Sequence, residues 1–326
     1  MTDSVELIDA LDRRVQRRDE RREFFKAAFG MGALAVGGAA SLGFSKRADA
    51  QTATITDADI LNFALQLEYL EAQFYSFAVN GSGLTAAQTA SGSGTAGAAV
   101  TGGRQVQFQD PAIAAYAREI AADEVAHVNF LKSSGALGTS AVAQPAIDIR
   151  GGAGGPFAAA AAAAGVPNGS SFDPYASDDA FLLGASIFED VGVTAYKGAS
   201  PLVSNRTFLQ AAAGILAVEA YHAAIVRTSL YARGVATPAL RTNADLISNA
   251  RDSLDGSSDI DQGISPTTVN GQLVSNIVPL DGDGLAYSRN PSQVLNIVYL
   301  NAAAATMGGF FPNGLNGSLR ASVRAS

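Results

Sequence analysis

The sequence predicts an all-α fold, a four-helix bundle with a long connection between its second and third helices and a C-terminal extension. Three observations carry this expectation. Four stretches of some twenty residues are rich in helix formers and bounded by capping or breaking residues. A Glu-x-x-His motif occurs twice, at Glu124/His127 and Glu219/His222, and uses both histidines of the chain. No strand pairing is needed anywhere, although residues 272–278 read as a short strand.

The elements follow in chain order. Residues 1–50 stand apart from the fold as an export signal: Arg21-Arg22-Glu23-Phe24-Phe25-Lys26 precedes an apolar, Gly/Ala-rich run from Ala27 to Phe44, and Ala48-Asp49-Ala50 offers a small-x-small cleavage site. This segment resembles a twin-arginine signal, which implies the twin-arginine export machinery as a partner and a periplasmic or secreted protein cleaved near Ala50. An uncleaved membrane anchor is the alternative. The bundle is expected over residues 51–235. Its first helix runs from Asp57 to about Val79, with Thr56 or Asp57 as N-cap. Residues 80–105 are a Gly/Ser/Thr/Ala-rich loop, and Asp110-Pro111 opens a second helix reaching about Lys132.

The connection from Ser133 to about Ser177 contains a Gly-rich stretch ending at Pro156 and seven alanines from Ala158 to Ala164, room for one short alanine helix. The third helix spans Asp178 to about Ala199 and the fourth Asn205 to about Arg233, separated by Ser200-Pro201. The extension, residues 236–326, is expected to pack on the bundle, with helices at Leu246–Leu254 and from Pro291 to about Met307 and a turn-rich closing loop from Gly308 to Gly317.

At 326 residues and 48% apolar content, the chain has enough material for a substantial core. Without residues 1–50 it keeps 13 basic and 22 acidic groups, and a net charge of −9 argues against nucleic acid as a partner. The absence of cysteine excludes disulfides, iron–sulfur clusters and thiolate metal sites. Any metal must be held by oxygen and nitrogen.

Residues three apart on an α-helix share a face, so Glu124 and His127 can grip one ion, as can Glu219 and His222. Both faces are otherwise apolar: Ala117, Ile120, Ala121, Val128 and Leu131 surround Glu124, and Ala212, Ile215, Leu216, Ala223 and Val226 surround Glu219. A carboxylate buried there without a cation or a proton costs several kcal/mol, so each demands a partner. The other two helices carry a matching pattern, Glu68 with Tyr75 seven residues later and Glu189 with Tyr196 seven residues later. The chain thus reads as a tandem of Glu-x6-Tyr and Glu-x-x-His. Beyond residue 50 there are six glutamates, and four belong to the repeat. Glu71, which also has apolar neighbours, is the alternative to Glu68 or a supporting residue.

One glutamate from each of two helices and a Glu-x-x-His from each of two others form the ligand set of a carboxylate-bridged site for two divalent ions, Fe or Mn. The expected metal ligands are Glu68, Glu124, His127, Glu189, Glu219 and His222. Four carboxylates and two divalent cations balance in charge. Tyr75 and Tyr196 are either catalytic neighbours, as hydrogen-bond donors or radical carriers, or plain core aromatics. Asp123 and Asp190 are candidate acceptors for the second ring nitrogen of each histidine. A metal-free bundle, with protonated carboxylates or arginines such as Arg118 or Arg227 in the ions' place, is the alternative.

Over residues 57–233 these motifs resemble the ferritin-like superfamily, and within it exported ferritin-like proteins similar to plant desiccation-related proteins. The stretches 247–256 and 308–317 are similar to that group as well. The resemblance places the family's ligands on the six residues above. It implies a metal-binding protein of oxidative or desiccation stress, or an oxidoreductase acting on peroxide, as manganese catalases do, or on O2 and Fe(II). It leaves a homo-oligomer open. The Gly/Ala-rich insertions do not resemble a cage-forming ferritin subunit, and the missing cysteines exclude a complete rubrerythrin.

Overall fold

A computed structural model of the chain describes residues 55–325, so the expected export signal at residues 1–50 lies outside the described residues. Helix α1 (Asp57–Asn80) starts at a reciprocal Thr56/Asp59 capping box and stops where Gly81 takes a left-handed φ of 71° and returns its N–H to Phe77. After a one-turn helix α2 (Ala86–Thr89) and strand β1 (Val100–Gly102), Asp110 caps α3 (Pro111–Lys132), with Pro111 in the first turn, where its missing N–H costs nothing. Ser177 caps α5 (Asp178–Ala199), Asn205 caps α6 (Arg206–Arg233), and between α3 and α5 lie strand β2 (Ile147–Ile149) and helix α4 (Pro156–Ala163).

The bundle consists of two closely packed pairs, α1 with α3 and α5 with α6, joined through α1 against α5 and α3 against α6. Contacts at the helix ends set the directions. Arg233 at the end of α6 pairs with Asp110 and Asp179, and Asp178 accepts from the Gln109 and Asp110 backbone, so α3 and α5 begin side by side. At the other end, Asp57 accepts from the Ser204 and Asn205 backbone, placing the start of α1 beside the start of α6. Because α3 and α5 run parallel, their connection must return along a bundle roughly 33 Å long, at 1.5 Å per residue over 22 residues. That is the reason for its length.

The connection is anchored along the way. β2 pairs in parallel with β1, Ile147 and Ile149 are fully buried, and Asp148 N–H donates to the Phe310 carbonyl. Phe157 of α4 joins Phe74, Tyr175, Phe181, Phe188 and Phe310 in a buried aromatic cluster with centroids 4.9–6.4 Å apart. Since α1 is covered on nearly every side, its buried polar residues find partners outside the bundle helices: Gln73 donates to Gln144 of the connection and Gln66 accepts from the Asn316 backbone of the C-terminal segment.

Several local expectations give way to the structure. The helix expected over Leu246–Leu254 begins earlier, as α7 (Ala239–Asp255), directly after Pro238. The helix expected to reach Met307 ends as α8 (Pro291–Val298): Leu300 turns left-handed at φ 53°, and the Asn296 side chain donates to the Asn301 and Ala303 carbonyls, folding the chain back. The short strand is β4 (Gln272–Val274), paired antiparallel with β3 (Thr267–Val269) across Asn270-Gly271, both left-handed. The β1/β2 pair and α2 lie in segments that composition had marked as loop.

The C-terminal segments meet the bundle through a buried charge network. α7 packs on α5 and α6 and α8 on α5. Arg251 bonds Asp190 and Asp261, Arg289 bonds Asp255, Asp261 and Thr194, and Arg227 bonds Asp190 and four carbonyls between residues 262 and 277. Three arginines and three aspartates balance, which is what makes their burial tolerable.

Candidate metal centre

Glu68 on α1, Glu124 and His127 on α3, Glu189 on α5, and Glu219 and His222 on α6 all project into the bundle interior, and all are buried. They form two overlapping groups. Glu68, Glu124, His127 and Glu219 each place a donor atom within 4.8 Å of the others, and so do Glu124, Glu189 and His222. Glu124 belongs to both groups and is the residue placed to bridge. The two imidazole centroids lie 6.3 Å apart.

Both histidines aim Nδ1 inward. His127 Nδ1 lies 3.1 Å from Glu68 Oε2, 3.5 Å from Glu124 and 3.7 Å from Glu219, while His222 Nδ1 lies 3.0 Å from Glu124 and 3.7 Å from Glu189. Short as these separations are, both oxygens of Glu124, both of Glu219, Oε2 of Glu189 and Nδ1 of His222 are buried without a hydrogen bond of acceptable geometry. Polar atoms are rarely left so, because each costs roughly 1–3 kcal/mol. Five carboxylate oxygens and a ring nitrogen facing one interior space are the donor set of a hard or borderline divalent ion, and these residues fit a pair of them.

The electrostatics agree. Burial, then Glu68 and Glu189, pushes the Glu124 carboxyl well above the usual range; burial, then Glu71 and Glu124, does the same to Glu219. Glu189 is raised to about 8, chiefly by burial and against the hydrogen bond from Tyr75. At Glu68 burial is outweighed by the contact with His127, which leaves it below its ordinary value; His127 rises in turn, while burial lowers His222. Without cations, most of this cluster must hold protons.

The two tyrosines cross over. Tyr75 on α1 donates to Glu189 on α5, and Tyr196 on α5 donates to Glu68 on α1. Each serves the glutamate of the other helix rather than the one seven residues before it. Burial, then the nearby glutamates, raises both phenols well above their ordinary value, so they stay neutral donors.

The remaining candidates separate. Glu71 is buried beside the cluster but belongs to neither group. Asp123 accepts from His222 Nε2 at 3.2 Å, whereas Asp190 faces Arg227 and Arg251 and so serves the charge network instead of a histidine. Arg118 is exposed and Arg227 turns toward residues 262–277, so neither occupies the ions' place. Gly192 was not singled out by the sequence. A Cβ there would stand 2.3 Å from Glu219 Oε2, so any side chain at this position would displace that carboxylate. The available signal was its position: Gly192 follows Glu189 by three, as Glu71 follows Glu68.

A family model described as a ferritin-like domain matches residues 56–232. The chain is 29% identical over 274 residues to the ferritin-like catalase Nec2 of Nesocodon mauritianus, covering 81% of this chain and 84% of that protein. It is 30% identical over 277 residues to the desiccation-related protein PCC13-62 of Craterostigma plantagineum, covering 80% and 83%. No solved structure matches significantly.

Proposed function

The chain belongs to the ferritin-like family, and from that premise we propose that it is an exported protein holding a carboxylate-bridged pair of divalent Fe or Mn ions, acting in oxidative or desiccation stress. The observation that carries the proposal is the set of buried carboxylate oxygens with no hydrogen-bond partner, arranged around two inward-facing imidazoles. Glu68, Glu124, His127 and Glu219 would hold one ion and Glu124, Glu189 and His222 the other, with Glu124 common to both groups. When bound, Fe or Mn supplies reversible one-electron steps between the +2 and +3 states, suited to O2 or peroxide.

The protein's part is to hold and orient. Tyr75 and Tyr196 restrain Glu189 and Glu68, and Asp123 restrains His222. The apolar walls keep bulk water from six groups it would otherwise solvate. Export is supported by the twin arginine, the apolar run and Ala48-Asp49-Ala50. Peroxide disproportionation is the second reading, favoured by the similarity to a protein named as a catalase.

Metal analysis of the full chain after reconstitution tests the first reading. Two Fe or Mn per chain are expected, and Glu124→Ala should lose both, because the residue is shared. Less than one ion per wild-type chain defeats the proposal. Peroxide consumption and Fe(II) oxidation by loaded protein, each against Glu124→Ala, decide between a metal-binding role and catalysis.

A further inference from the structure

Laying one helix pair of the repeat on the other matches Glu68 with Glu189, Glu124 with Glu219 and His127 with His222, but it sets Asp123 against Val218. Asp123 stands directly behind His222. His222 is 2% exposed, and its Nε2–H donates to Asp123 Oδ2 at 3.2 Å, which leaves the Nδ1 lone pair turned toward Glu124 and Glu189. The Asp123 side chain is 43% exposed, so water completes its solvation while it holds the ring. For His127 the corresponding position carries the apolar Val218, and only its Nδ1 contacts carboxylates. Among the described residues, no carboxylate contacts its Nε2.

We propose that Asp123 is a positioning residue acting on one metal position alone, that of Glu124, Glu189 and His222, so that the two positions differ in how they hold their ions. The physical basis is general. A carboxylate behind a ligating histidine fixes tautomer and orientation and makes the inner nitrogen more basic, and its loss costs about 10- to 100-fold in metal affinity. The inference rests on the metal-binding reading above.

A double-mutant cycle on the full chain tests it, with Mn(II) as the probe and the free-ion EPR signal as readout. His127→Ala leaves the His222 position to be read, and His222→Ala leaves the other. Asp123→Ala is expected to weaken Mn(II) binding about 10- to 100-fold in the His127→Ala background and to leave it unchanged in the His222→Ala background. Asp123→Asn, which keeps an acceptor without the charge, should fall between. Val218→Asp should tighten binding in the His222→Ala background. Equal losses from Asp123→Ala in both backgrounds, or none in the first, overturn the proposal. A wild-type chain that takes up no Mn(II) overturns the metal reading itself, and the first titration tells that failure from the others.

Discussion

Tyr75 and Tyr196 show how much a single hydroxyl decides at this site. A tyrosine fills the same core volume as phenylalanine, so its O–H is informative only if it has a task. Here each donates to a buried carboxylate on the other helix pair. Hydrogen bonds of this kind contribute about 1–3 kcal/mol. Tyr75→Phe and Tyr196→Phe should each lower stability by about that much in urea unfolding, whereas Tyr221→Phe, 72% exposed, should change nothing. Silence of the two buried substitutions would make the pair plain core aromatics. Heptad spacing put each tyrosine on the face of its own helix's glutamate but carried no information about which glutamate it meets.

Helices α5 and α6 meet at Gly192 because a carboxylate needs the space. In a helix, Gly→Ala normally gains about 1 kcal/mol, but forced contact in a packed interior costs about 1–3 kcal/mol. Gly192→Ala sets a methyl group against Glu219 Oε2, so overpacking should outweigh propensity and the displaced carboxylate should bring uptake below two ions per chain. Gly214 on α6 has open space around its Cβ position, and Gly214→Ala should raise the melting temperature with metal content unchanged. Equal behaviour of the two variants would show that Gly192 has no special place. At this scale the helices that carry the site were readable from capping residues and apolar stripes. The start of α7 and the end of α8 were not; at α8, Asn296 and the left-handed Leu300 act through contacts that periodicity does not register.

For the molecule as a whole, two buried charge systems meet α5 at neighbouring residues, Glu189 and Asp190. The Arg/Asp network is self-balanced, so removing one member leaves a buried charge unpaired, and Arg289→Ala should cost about 3–5 kcal/mol in chemical denaturation. The carboxylate cluster is unbalanced and makes metal-free stability depend on pH. Glu124, Glu189 and Glu219 have raised values, Glu189 to about 8, so the folded chain keeps protons that the unfolded chain releases near 4.5. Their contribution is present below about 4.5 and is lost as pH climbs toward 8; Glu68, lowered, opposes this but is outnumbered. The melting temperature of metal-free protein should fall across that window, while loaded protein, whose ligands are deprotonated, should gain on it. Parallel curves would refute a site that exchanges protons for cations.

By itself the sequence determined the all-α class, the four bundle helices and the six residues that come together, because an inward-facing charge in an apolar stripe is a property of one helix, set by 3.6-residue periodicity and the expense of burial. Only the tertiary structure decided that the tyrosines cross over, that Asp123 serves His222 while Asp190 joins the arginines, and that Glu219 rests on Gly192. The tyrosine contacts join residues 114 and 128 positions apart. Spacing says which way a side chain leaves its own helix; the rotation and direction of the neighbouring helix decide what it meets.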